Sequence, residues 1–132
     1  MSFTRRSVVA ASLVLCAAMS APIAFAQDRP RFNAKAFEQA KAQGKPIFIE
    51  VFAPWCPTCR RQQPIITSLL KRPEFAGVQA FTVDFDNQKD ALKALRVTGQ
   101  STLVVFKGAK ETGRAVGVTD AAEIENLMRK SL

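Results

Sequence analysis

The run Pro46-Ile47-Phe48-Ile49-Glu50-Val51-Phe52 is apolar on both of the alternating faces that an extended chain presents. A strand with one wet face alternates apolar and polar residues. A strand apolar on both must lie inside a sheet, with further layers above and below it. Glu50 is the one acid in the run. The 132 residues have room for one domain, so the remaining elements of that domain must supply those layers.

The rest of the chain reads accordingly. Asn33 is a suitable N-cap for a helix through Ala34, Phe37, Ala40 and Lys41, stopped by Gly44. After the loop Ala53-Pro54-Trp55 a helix is expected from Cys56 to about Lys71. Pro57 fits its first turn, and Pro64 is expected to kink it. Val78 to Phe85 reads as a second strand, followed by a short helix through Ala91, Leu92 and Leu95. A loop with Gly99 leads into Thr102-Leu103-Val104-Val105-Phe106, a third strand. Lys107 to Lys110 turns the chain into a more polar strand ending near Gly117, and Asp120 caps a last helix carrying Ile124, Leu127 and Met128. Helices in the first two strand connections favour parallel neighbours, and the last connection is an antiparallel hairpin. The expected class is α/β, a central mixed sheet flanked by helices on both faces.

Residues 1–26 read as a cleaved export signal. Arg5 and Arg6 form a positive start, Val8 to Met19 is apolar or small, and Ala24-Phe25-Ala26 suits signal peptidase. The paired arginines fit a twin-arginine signal as well as an ordinary secretory one. The apolar stretch is shorter than the roughly 20 residues that span a bilayer, so an uncleaved membrane anchor is the weaker reading. Leu15 before Cys16 argues against a lipoprotein site. The domain is then residues 27–132, and loss of Arg5 and Arg6 takes the net charge from +8 to +6. The positive residues are scattered, with no basic run interleaved with aromatics, so nucleic acid is not an expected partner.

Export would leave two cysteines, Cys56 and Cys59, with two residues between them. Closing so short a loop removes little entropy from the unfolded chain, so the pair is a poor staple and a suitable redox couple. At a strand-to-helix junction, free backbone N–H groups and the helix dipole favour negative charge and hence the thiolate, the attacking species. Cys59 lies one turn on, on the same face, within reach of Cys56 for a disulfide. Cys56 is therefore the expected nucleophile and Cys59 the resolving thiol. Trp55 is expected to shield one side of the pair, and Arg60 and Arg61 to add helpful positive charge. A zinc site would need a second pair of ligands, and the chain has no histidine and no other cysteine after export. No metal is expected, and no cofactor beyond the Cys56–Cys59 couple.

Over nearly all of residues 33–132 the chain resembles the thioredoxin family. Ile49 to Cys59, with Trp55-Cys56-Pro57-Thr58-Cys59 at its end, is similar to the family's strand and active-site loop. Pro64 falls at the family's kinking proline, Phe81 to Asp86 at the next core strand, Gly99 to Phe106 at the loop and strand facing the active site, and Gly117 at the glycine before the last helix. The resemblance implies a thioredoxin fold, thiol–disulfide exchange with protein disulfides or dithiols, and Trp55, Pro57, Thr58, Gln100 and Ser101 around the substrate. Glu50 falls where many thioredoxins have a buried aspartate that takes the resolving thiol's proton. A carboxyl with no charge partner in an apolar strand is expected to titrate high, which suits Glu50 as a general base. The other reading is a surface glutamate at a strand end. Ser101 departs from the family, standing where a cis-proline is usual. A trans bond is expected there, with the Ser101 hydroxyl positioned to hydrogen-bond the Cys56 thiolate.

Pro57-Thr58 between the cysteines lacks the cationic support a histidine gives a thiolate, which argues against a strong oxidant. The exported relatives it resembles most are periplasmic reductases of Gram-negative bacteria. A monomeric periplasmic reductase or electron relay, recharged by a membrane-embedded donor, is the expected role. The alternatives are a disulfide oxidase or isomerase, and a non-enzymatic binding module on the same fold.

Overall fold

A computed structural model describes residues 29–132; the expected export segment, with Arg5, Arg6 and Cys16, lies outside them. The doubly apolar run forms β1 (Pro46–Phe52), an interior strand of a four-stranded sheet. It pairs parallel with β2 (Gln79–Asp84) and antiparallel with β3 (Thr102–Lys107), and β4 (Lys110–Val116) adds antiparallel to β3, giving the order β2-β1-β3-β4. Ile47 through Val51 have no exposed surface.

One expectation is corrected here. β2 and β3 are joined through a helix yet are not parallel neighbours, because β3 enters on the far side of β1 and runs against it. The helix between them, α3 (Lys89–Ala94), has six residues and spans about 9 Å. That is roughly half the length of the strands it joins. The chain therefore stays at one end of the sheet, where the Ser101 N–H reaches the Val51 carbonyl oxygen at 2.9 Å.

The other helices lie where the patterning puts them. α1 (Ala34–Ala42) starts at Asn33, whose side chain accepts the Ala36 N–H at 2.9 Å. α4 (Ala121–Arg129) starts at Asp120, which caps the Glu123 N–H at 3.0 Å. α2 (Pro57–Leu70) runs through Pro64 without a break. α1 and α3 cover one face of the sheet, packing Phe37, Ala40, Ala91 and Leu92 on Ile47, Ile49, Val51 and Val104. α2 and α4 cover the other, packing Ile66, Leu69, Ile124 and Leu127 on Phe48, Leu103 and Val105. Each fully buried Val, Leu, Ile or Phe side chain among them contributes about 1.5–3 kcal/mol relative to exposure. Alternation cannot fix the register of a strand apolar on both faces. Glu50 can, because its partners all lie on the α2 side.

The segment before Asn33 is more than a polar lead-in. Residues 30–32 run beside β2 in a single parallel bridge, with the Phe32 N–H donating to Thr82 O at 2.7 Å and the Thr82 N–H to Pro30 O at 3.0 Å. Phe32 packs into the α1 face, and Arg29 is buried on the opposite side of the sheet.

Candidate active site

β1 delivers the chain to Ala53-Pro54-Trp55, and the turn closes when the Cys56 N–H donates to Ala53 O at 3.1 Å. Cys56 is the N-cap of α2, in extended conformation, and Pro57 opens the helix where its missing N–H costs nothing. The cap is a sulfur: Cys56 Sγ accepts the Cys59 N–H at 3.1 Å. An N–H aimed at this sulfur at the positive end of α2 stabilises charge on it. Both cysteines are free and buried, Cys56 at 2% exposure and Cys59 at 0%, packed with Ala53. Burial, and then the hydrogen bond with Cys56, push the Cys59 thiol up to about 12. The pair is thus asymmetric, with one sulfur placed to carry charge and one held as a thiol.

Two expectations for the surrounding residues are corrected. Trp55 is 54% exposed and fixed at the mouth, its Nε1–H donating to Asp86 Oδ2 at 2.9 Å and its ring edge-on to Phe85. Pro57 is exposed, and Thr58 and Gln100 are half-buried. Arg60 is exposed and its guanidinium donates to Pro54 O at 2.8 Å, tying the loop before Cys56 to α2. Ser101 meets the cysteines through backbone, not through its hydroxyl. The hydroxyl donates to Gln100 O at 2.6 Å, in place of the expected bond to Cys56. The Ser101 N–H and the Cys59 thiol share the Val51 carbonyl oxygen, at 2.9 and 3.8 Å. No cis peptide bond occurs among the described residues, and Ser101 adopts φ +55.

The second correction concerns Glu50. It is the one buried acid among the described residues, which rules out the surface reading, but it has a charge partner. Arg29 Nη2 donates to Glu50 Oε2 at 2.5 Å, and Gln63 Nε2 bridges both carboxylate oxygens at 3.0 and 3.1 Å. Burial pushes the Glu50 carboxyl up, opposed first by the charge of Arg29. The carboxylate thus lies under α2 at Gln63, one turn past Cys59.

A family model for thioredoxin matches residues 30–130 of the chain. The chain belongs to the thioredoxin family. It is 37% identical over 81 residues to an H-type thioredoxin of Fagopyrum esculentum, covering 61% of this chain and 68% of that one. It is 30% identical to thioredoxin-2 of Saccharomyces cerevisiae, covering 68% and 86%. Among solved structures it is similar to Trxlp of Edwardsiella tarda EIB202, with a TM-score of 0.73 and 36% identity over 75% of this chain and 96% of that one. The fold is the thioredoxin fold, and the activity is that of a thiol–disulfide oxidoreductase.

Three residues of the site, Gln62, Gln63 and Arg29, escaped the sequence reading. Gln62 is wholly buried, and its Nε2 donates to Ser101 O at 3.2 Å and Val118 O at 2.8 Å, pinning the serine loop to α2. Its only signal was its position, three residues after Cys59 on the same helix face. Arg29 gave no signal at all, being one charged residue in a polar segment 21 positions from its partner.

Proposed function

We propose that this thioredoxin works outside the cytoplasm, in the periplasm of a Gram-negative bacterium, as a monomeric reductase or electron relay for protein disulfides. The observation that carries the reading is the asymmetric pair: Cys56 capping α2 with an N–H aimed at its sulfur, and Cys59 a buried thiol one turn on. The Cys56 thiolate attacks one sulfur of a substrate disulfide. That S–S bond breaks, Cys56 becomes mixed-disulfide-bonded to the substrate, and the departing thiolate takes a proton from solvent. Cys59 then loses its proton, its sulfur attacks Cys56 Sγ, and the mixed disulfide breaks. Two electrons have passed to the substrate, which leaves as a dithiol, and Cys56 and Cys59 are joined.

A thiol held near pKa 12 needs a base for the second step, and Glu50 is the buried carboxyl beneath the same helix. We assign it that role. Trp55, Pro57, Thr58, Gln100 and Ser101 frame the mouth that the substrate meets. Export is supported by Arg5, Arg6, the apolar stretch that follows and Ala24-Phe25-Ala26. A reductase there needs an electron supply, and a membrane-embedded donor meets that need.

Reduction of insulin disulfides by the purified protein is expected to proceed and to vanish in Cys56→Ser. A turnover that survives the substitution, or is absent from the parent, would leave only a binding module. Direction is read from the redox potential. A reductase should sit near the roughly −270 mV of thioredoxins, and a value near the −120 mV of strong oxidants would reverse the assignment.

A further inference from the structure

The Arg29–Glu50 pair is the one ion pair among the described residues with both side chains essentially out of water, at 1% and 0% exposure. The cation comes from the segment before α1, laid against β2, and crosses under the sheet to reach the acid. Besides Glu50, Arg29 donates through Nη1 to Thr67 Oγ1 at 3.1 Å, a second anchor on α2, while its buried Nε has no partner among the described residues. An arginine with an unsatisfied donor is an unpromising device for stability, since a buried pair seldom outperforms apolar packing. Its charge also acts on the ionisation of Glu50. Burial pushes the Glu50 carboxyl up and the guanidinium opposes that, so without it the carboxyl would hold its proton more tightly still, and a protonated carboxyl takes no proton from a thiol.

We propose that Arg29 is a positioning residue of the resolving step: by pairing with Glu50 beneath α2 it favours the charged carboxylate, the form that can receive the Cys59 proton. The proposal rests on the assignment of Glu50 as base. Among the described residues, Arg29 is the one cation acting on Glu50. α2 presents Gln63 and Thr67 and, one turn before Gln63, the Cys59 thiol. β2 presents Thr82 and β3 Leu103, opposite Glu50 in register, and neither titrates. The step balances as a proton transfer: Cys59–SH and Glu50–COO⁻ become Cys59–S⁻ and Glu50–COOH. The thiolate then displaces the substrate sulfur from Cys56, and Glu50 returns its proton to solvent.

The test follows the resolving step across pH in rapid-mixing experiments on the purified protein, with Arg29→Met, Arg29→Lys, Glu50→Gln and the Met/Gln double variant. The parent should lose rate on acidification, as Glu50 is protonated. Arg29→Met should move that acid limb upward by about one to three pH units, the range an adjacent opposite charge commands, so that resolution slows at every pH between the old limb and the new. Arg29→Lys should bring it most of the way back. Glu50→Gln should abolish the limb, and adding Arg29→Met to it should change nothing further. A merely structural arginine would lower the melting temperature and leave the limb in place, and that result overturns the proposal. Should Arg29→Met not fold, the Glu50 carboxyl of the parent can be titrated by carbon-13 NMR. A midpoint below neutrality is expected, and one above neutrality is fatal. An unmoved limb with turnover still dependent on Cys56 sinks Arg29's role alone. A Glu50→Gln variant with the parent's profile removes the base on which it stands.

Discussion

Ser101 sits at φ +55, in the left-handed region that side chains other than glycine occupy at a cost of roughly 1–2 kcal/mol. It stays there because three backbone contacts hold it: its N–H on Val51 O at 2.9 Å, and its carbonyl taking the Gly117 N–H at 3.0 Å and Gln62 Nε2 at 3.2 Å. Proline cannot adopt this φ and has no N–H for Val51. Ser101→Pro is therefore expected to lose about 2–3 kcal/mol in urea unfolding. Ser101→Gly sheds the strain, forgoes the hydroxyl's bond to Gln100, and should stay within about 1 kcal/mol of the parent. A proline variant as stable as the parent would mean the loop is not held in this conformation. At this scale the sequence was legible where chemistry is local. Cys56, Cys59 and Trp55 could be read because their spacing and neighbours fix what they do. Gln62 could not, since a polar residue on a helix reads as solvated until another segment's carbonyls arrive. The partner of Glu50 was hidden for the same reason, and the Ser101 hydroxyl turned to the nearer acceptor, its neighbour's carbonyl.

Among the elements, the packing of α4 on the sheet depends on what β4 lacks. A Cβ at Gly113 would stand 2.8 Å from Leu127 Cδ1, 3.2 Å from Lys130 Cδ and 3.2 Å from Val105 Cγ2. Leu127 is buried with Ile124 against Val105, so its methyl cannot simply swing away. Gly113→Ala should therefore cost about 1–3 kcal/mol of overpacking, read as a lower urea midpoint at unchanged slope. Insulin reduction per folded molecule should be preserved. A variant as stable as the parent would show that α4 has room to move. Element boundaries were legible because strong local signals mark them: Asn33 and Asp120 cap helices, Gly44 closes the first, and Pro57 opens the second. Strand neighbours were less so. A helix between two strands suggests a parallel pair only if it is long enough to return the chain, and α3 is not.

At the scale of the whole molecule, the buried thiol ties folding to redox state through a single proton. In the reduced fold Cys59 keeps its proton up to about pH 12, against 9.0 for an ordinary thiol. Between those values the unfolded chain has released the proton and the folded chain has not. Unfolding then liberates a proton, and rising pH favours it. The stabilising contribution is whole below about pH 9 and is lost as pH climbs through about 12. The chain has no tyrosine, so no phenol titrates in this window. Lysines do, but they titrate equally in Cys59→Ala. Above pH 9 the reduced parent should therefore lose stability more steeply with pH than reduced Cys59→Ala, measured as urea midpoints at successive pH values. Joining Cys59 to Cys56 removes the titrating group, so the oxidised parent should follow the shallower slope of the alanine variant. Parallel slopes for all three would mean that Cys59 ionises as easily inside the fold as outside it. The need for Glu50, and for Arg29 behind it, would then disappear with the thiol's reluctance to ionise.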